Sequence, residues 1–195
     1  IMEDSYVLQL LKPKFKDFYL CFCGFAECEP LHSYGPATRP NYILHYVMKG
    51  KGIYQVGETK YHLKEGQAFL IEPESLTFYQ ADKKDPWSYL WVGFGGTEAQ
   101  RFVRDLGLNS RQLTCECKYG EELKGIVFEM LQHTHSTAEN LYYLQGKLYQ
   151  FFSVLARGIE IQKYADNTKE SIYVQEAIAY IKNYYSQKIT VEDIA

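Results

Sequence analysis

Between Arg39 and Gly96, apolar and polar residues alternate in short runs, "YILHYVMKGKGIYQVG", "KYHLKEGQAFLIEPESLTFYQAD" and "DPWSYLWVGFGG", each cut off by glycine, proline or charged residues. Period-two alternation with turn signals between the runs predicts strands, and no interval is long enough for the crossover helix that a parallel pair needs. The region therefore predicts an antiparallel barrel or sandwich. "MKGKGIY" should reverse the chain, with Gly50 and Gly52 free to take positive φ; "VGETKY" predicts a second hairpin and "LKEGQ" a third. "AFLIEP" reads as a buried strand that Pro73 ends. In the last run, alternate side chains share a face, so Trp87, Tyr89 and Trp91 line one side while Leu90, Val92 and Phe94 line the other. The aromatic side suits two roles, a stacking platform for a flat ligand or sugar ring, or the solid filling of a barrel interior.

Upstream, residues 1–16 hold "LQLLKPKF", with Pro13 and several lysines, which fits an N-terminal arm better than a regular element. Strand-like alternation starts at Asp17, and "CEPLHSYGPATRPN" gathers three prolines and a glycine into a loop. After Gly96 the period changes from two to that of a helix. "TEAQRFVRDLG" predicts a helix with Thr97 as N-cap and Gly107 as its stop. Residues 119–134 predict a second helix, carrying Leu123, Ile126, Val127, Met130 and Leu131. Residues 138–164 predict a third, in which Leu141, Leu148 and Leu155 recur every seven positions with Leu144 and Phe151 between them. That stripe fits a coiled-coil-like dimer seam and equally a helix packed on its own barrel. The fold class is thus α+β: strands over 17–96, helices over 97–164, a polar linker at 165–170 and a further helical segment at 171–195.

Composition narrows the field. A formal net charge of −3, with charged residues spread along the chain, leaves no basic stripe to hold a phosphate backbone. The five cysteines, without a secretion signal, fit reduced thiols in the cytoplasm. They lack the two-residue spacing of zinc knuckles, so no metal site and no cofactor are expected.

Near the end of the chain, Val174, Ala177, Ile178 and Ile181 share a helical face, followed by Tyr184 and "ITVEDIA", where Thr190 and Asp193 suit a helix start. This pattern is similar to the opening of the helix-turn-helix DNA-binding domain of AraC/XylS-type transcriptional regulators. "HYVMKGKGIYQVGETKYHLKEGQAFLIEPE" and "PWSYLWVGFGG" resemble the cupin-like effector-binding barrel of the same family. The resemblance implies a small effector inside the barrel, a homodimer through the helices (here through Leu141, Leu144, Leu148, Phe151 and Leu155) and promoter DNA as partner of the full-length protein. Only the first helix and the start of the second lie within the sequence, so this chain is not expected to read DNA itself.

For sugar-responsive members, the resemblance implies Arg39, Tyr79, Tyr89 and Trp91 as ligand contacts. Tyr and Trp faces stack on a pyranose, and Arg offers a rigid fork of donors to hydroxyls. Glu27 and His32 are added as acceptors at the barrel mouth. His45, mid-strand, reads as a hydrogen-bonded barrel or interface residue. The expected effector is a mono- or oligosaccharide and no catalytic residue is assigned. Two rival readings are a metal-dependent cupin-fold enzyme and a carbohydrate-binding module. The first lacks the close His-x-His and the third histidine after the proline turn; "ITVEDIA" speaks against the second.

Overall fold

A computed structural model describes residues 4–10, 14–157, 159 and 180. The chain divides into two compact units, Ile1–Ile159 and Glu160–Ala195. The expected linker at 165–170 and the helix-turn-helix opening over 171–195 lie outside the described residues, except for Tyr180, which is helical.

In the first unit the elements run β1 (Asp4–Gln9), β2 (Tyr19–Glu27), β3 (Ser33–Ala37), β4 (Tyr42–Lys49), β5 (Lys51–Val56), β6 (Thr59–Lys64), β7 (Gln67–Ile71), β8 (Thr77–Ala81), β9 (Ser88–Gly95), α1 (Ala99–Asp105), β10 (Thr114–Glu116), α2 (Gly120–Gln132) and α3 (Ala138–Leu155). They form two antiparallel sheets, a six-stranded one in the order β1-β2-β9-β4-β7-β10 and a four-stranded one in the order β3-β8-β5-β6. The α+β class expected from the alternation is the class found. The sheets meet through aromatic side chains: Phe69 of β7 packs 4.7 Å from Tyr54 and 5.8 Å from Tyr79. The buried Tyr54 hydroxyl donates to the Leu70 carbonyl at 2.7 Å and ties one sheet to the other.

Several turns differ from expectation. Gly50 has the positive φ anticipated for it, 67°, but the turn carries the chain from β4 in one sheet to β5 in the other. Gly66, at φ 85°, likewise joins strands of different sheets, and only "VGETKY" closes a hairpin, β5 with β6. Gly52 serves by close approach: a Cβ there would meet the Trp87 ring at 2.5 Å. The expected arm contains strand β1, whose backbone adds to the free edge of β2, and the expected proline-rich loop contains β3, paired to β8. In both, tertiary pairing overrides a weak local signal.

The helices cover the outer face of the six-stranded sheet. Leu90, Val92 and Phe94 are fully buried there, and Phe94 packs against Phe18 and Phe152 at 5.6 and 5.0 Å. Gln145 on α3 donates to the Phe18 carbonyl at 2.8 Å, satisfying a buried acceptor. Thr137 caps α3 by accepting from the Asn140 amide, whereas α1 starts after Glu98 without a side-chain cap, one residue later than Thr97 would place it.

The proposed dimer seam needs correcting. Leu144, Leu148, Phe151 and Leu155 are between 0 and 5% exposed, and only Leu141 is partly open. The stripe faces α2 and the sheet of its own chain. A heptad stripe and the core-facing stripe of an amphipathic helix share the same spacing, and here the core takes it. No described helix is long and apolar enough to cross a membrane.

Candidate functional site

The inner faces of the two sheets carry matching rows of side chains. Across the six-stranded sheet, register aligns Val7, Gly24, Trp91, His45 and Phe69. Across the other sheet it aligns Tyr34, Tyr79, Tyr54 and Tyr61. Directly opposed residues on one face of a sheet lie close enough to interact, so each row is a contiguous wall, aromatic from Trp91 to Phe69 in the first and throughout in the second. At the β5/β6/β7 end the walls close on one another, with Tyr54 stacked on Tyr61 and tilted against Phe69. Toward β1 and β3 they part, leaving a cavity of about 500 Å³, within the ligand-pocket range of roughly 300–1,000 Å³.

Arg39, Tyr79, Tyr89 and Trp91 all line this cavity. The Arg39 guanidinium lies over the Tyr34 ring, 3.9 Å from its centroid, and Tyr34 stacks on Tyr79 at 5.7 Å. Such a cation on an aromatic face stabilises by about 0.5–2 kcal/mol and holds the fork of donors in place. The Tyr79 and Tyr89 hydroxyls are hydrogen-bonded to each other. Burial pushes the Tyr79 phenol up to about 12 and drives Tyr89 upward too, with Tyr79 and Cys28 adding to the effect. Both remain protonated and can donate. Trp91 is half-buried with its indole laid over Gly24, where any Cβ would collide with the ring.

Glu27 and His32 are not in this group. Glu27 is exposed at the end of β2, and His32 is a half-buried loop residue whose backbone bonds to Glu29 and Ala81; neither lines the cavity. Trp87, on the predicted aromatic face, is 1% exposed and stacks on Phe69 at 5.8 Å. The two roles open to that face are divided along it: Trp87 fills the interior and Trp91 borders open space.

His45 is a barrel residue, as expected, but its Nδ1 is not hydrogen-bonded among the described residues. It lies on the cavity wall, 3% exposed, in parallel stacking with Phe69 at 4.5 Å and 5.1 Å from both Tyr79 and Tyr89. Burial, with the Arg39 charge nearby, holds its imidazole down to about 3, so it is neutral at physiological pH. That lack of a partner at Nδ1 is an unusual state for a buried polar atom. The available signal was its place on the same strand face as Ile43, but its register against Trp91 is not written locally. Ser5, Val7 and Gln9 of β1, within the expected N-terminal arm, form a further wall.

Arg39 is the one charged side chain among the described residues lining the cavity, and none of these is a carboxylate. Among the described residues, no group of three or more His, Cys, Asp or Glu side chains is placed to hold a metal ion. The arrangement offers ring faces for stacking, phenol and guanidinium donors, and a neutral imidazole.

The family model for AraC-like ligand binding domains matches residues 20–152. The Msm operon regulatory protein of Streptococcus mutans serotype c is 30% identical over 175 residues, covering 88% of this chain and 63% of the relative. The raffinose operon transcriptional regulatory protein RafR of Pediococcus pentosaceus is 26% identical over 182 residues, covering 89% of this chain and 64% of the relative. The chain thus spans a little under two thirds of the length of these curated relatives. A solved cupin 2 conserved barrel domain protein from Salinispora arenicola CNS-205 aligns with a TM-score of 0.39 at 15% identity, over 51% of this chain and 82% of that one.

Proposed function

The chain belongs to the family of AraC-like ligand-binding domains, and from that membership we propose that its cavity receives a sugar effector, a mono- or oligosaccharide, on behalf of a regulator of carbohydrate-utilisation genes. The observation that carries the reading is the cavity wall itself. Trp91, Tyr34, Tyr79 and Tyr89 supply ring faces and hydroxyls, Arg39 supplies a fixed fork of donors, and His45 supplies a neutral ring nitrogen. Sugars are recognised by that pairing of stacking faces with convergent polar groups. The sugar-operon names of the relatives support the same choice.

In this reading the domain is a receptor and not an enzyme, as the regulator names of its relatives also suggest. Among the described residues, the lining offers a single imidazole and no carboxylate, a poor donor set for the metal-dependent alternative. The full-length protein acts in the cytoplasm as a homodimer on promoter DNA, its subunits meeting through residues other than the buried α3 stripe. Sugar occupancy shifts the dimer only as far as the sugar binds its two arrangements with different affinity.

A thermal-melting screen of the chain against mono- and oligosaccharides tests the proposal. A ligand at a hundred times its dissociation constant stabilises by about 2.7 kcal/mol, which raises the melting temperature of a domain this size by roughly 5–10 °C. A melting temperature unmoved by every sugar would overturn the reading.

A further inference from the structure

Beside the aromatic cavity lies a second one of about 370 Å³, and Gln9, Phe22 and Arg39 line both. Beyond them the second cavity is bordered by Tyr19, Cys21 and Asn41. The two spaces therefore adjoin, with Arg39 at the junction.

Three glycines seat rings that line the two cavities. Gly24 makes room for the Trp91 indole, Gly93 for the Phe22 ring, and Gly95 for the Tyr19 ring, where a Cβ would meet the phenol oxygen at 2.9 Å. Trp91, Gly93 and Gly95 alternate along β9 and so share its inner face. The register shift between Leu20 and Phe22 sets Tyr19 opposite Gly95 and Phe22 opposite Gly93. Without that bulge, Tyr19 and Phe22, three residues apart, would point to opposite faces. The result is a line of three rings, Trp91, Phe22 and Tyr19, each half-buried, running from one cavity into the other. Asn41 brings an amide to the far end.

We infer that the second cavity is a further subsite, and that the ligand is a linear oligosaccharide laid along the three rings, with one sugar unit over Trp91 and the next beyond Arg39 over Tyr19. The inference rests on the sugar-receptor reading and deepens it. A row of ring faces at successive positions suits linked pyranoses, as each ring presents an apolar face to stack on while its hydroxyls point outward. Arg39 serves both units, since its planar head has donors on two edges. Asn41 provides both a donor and an acceptor for the outer unit.

Calorimetric titration of the chain with galactose, melibiose and raffinose, one, two and three units sharing an α-galactosyl ring, tests the subsite. The wild-type chain should bind raffinose at least tenfold more tightly than galactose. Asn41→Ala should reduce that preference about fivefold, and Asn41→Trp, which fills the second cavity, should abolish it, with galactose affinity and melting temperature unchanged in both. Equal affinity for all three sugars, or a raffinose preference untouched by both variants, would overturn the subsite while leaving the receptor reading intact. Failure of all three sugars to bind would count against the receptor reading and the subsite together.

Discussion

Strand β9 has two faces made by alternate residues of one short segment, and they have been put to opposite uses. Leu90, Val92 and Phe94 disappear under the helices with no measurable exposure, in a layer of hydrocarbon and edge-to-face rings. Tyr89 and Trp91 point the other way, into a space of about 500 Å³ whose wall is aromatic but also carries hydroxyls, an imidazole and a guanidinium. The outer face is close-packed, so its residues matter through volume. The inner face keeps open space and polar atoms without a partner among the described residues, a costly arrangement for a core and a useful one for a receptor. Stability should reside on one face and affinity on the other, and the contrast can be attacked from either side.

The largest effect expected is on the inner face and comes from acid. An unfolded imidazole titrates near its ordinary 6.5, while burial holds His45 down to about 3. Between those values the unfolded chain binds a proton that the folded chain refuses, so this contribution is complete above about pH 6.5 and is lost as pH falls toward 3. The shift corresponds to an upper bound of about 5 kcal/mol. Urea unfolding at a series of pH values should show this slope in the wild type and a shallower one in His45→Phe; parallel slopes would place the imidazole in water rather than in the wall.

On the outer face, Phe94→Ala should cost about 3–5 kcal/mol, because it empties a site touched by Phe18, Tyr42 and Phe152. Denaturant unfolding measures it, and a cost below about 1 kcal/mol would contradict the close packing claimed there. Gly24→Ala acts on the boundary between cavity and edge strand. Its Cβ would meet the Trp91 ring and the Tyr6 carbonyl of β1, so a loss of about 1–3 kcal/mol is expected. Faster amide exchange in residues 4–9 would locate the damage, whereas unchanged exchange there would show that the indole alone gives way.

Much of this was legible in the chain. The alternation in "WSYLWVGFGG" separated the two faces of β9 correctly, and Pro73 marked the end of β7. Four residues chosen by resemblance, Arg39, Tyr79, Tyr89 and Trp91, surround one cavity. The rest depended on pairing between distant segments. Gly50 and Gly66 announce turns, but a positive φ does not say which sheet the chain enters next. Residues 4–9 look like an arm until β2 offers an edge, and the register that sets His45 opposite Trp91 is not written in its own strand. The α3 stripe stayed ambiguous for a different reason: its period reports an apolar face and is silent on whether the partner is another copy or the chain's own α2.

The most direct test of the division of labour is Trp91→Ala, followed by sugar calorimetry and by melting. The indole is half-buried and borders open space, so its loss should weaken the best-binding sugar at least tenfold, about 1.4 kcal/mol, while the melting temperature without sugar falls by no more than a few degrees. A variant that binds sugar as well as the wild type, or one that no longer folds, would contradict the account.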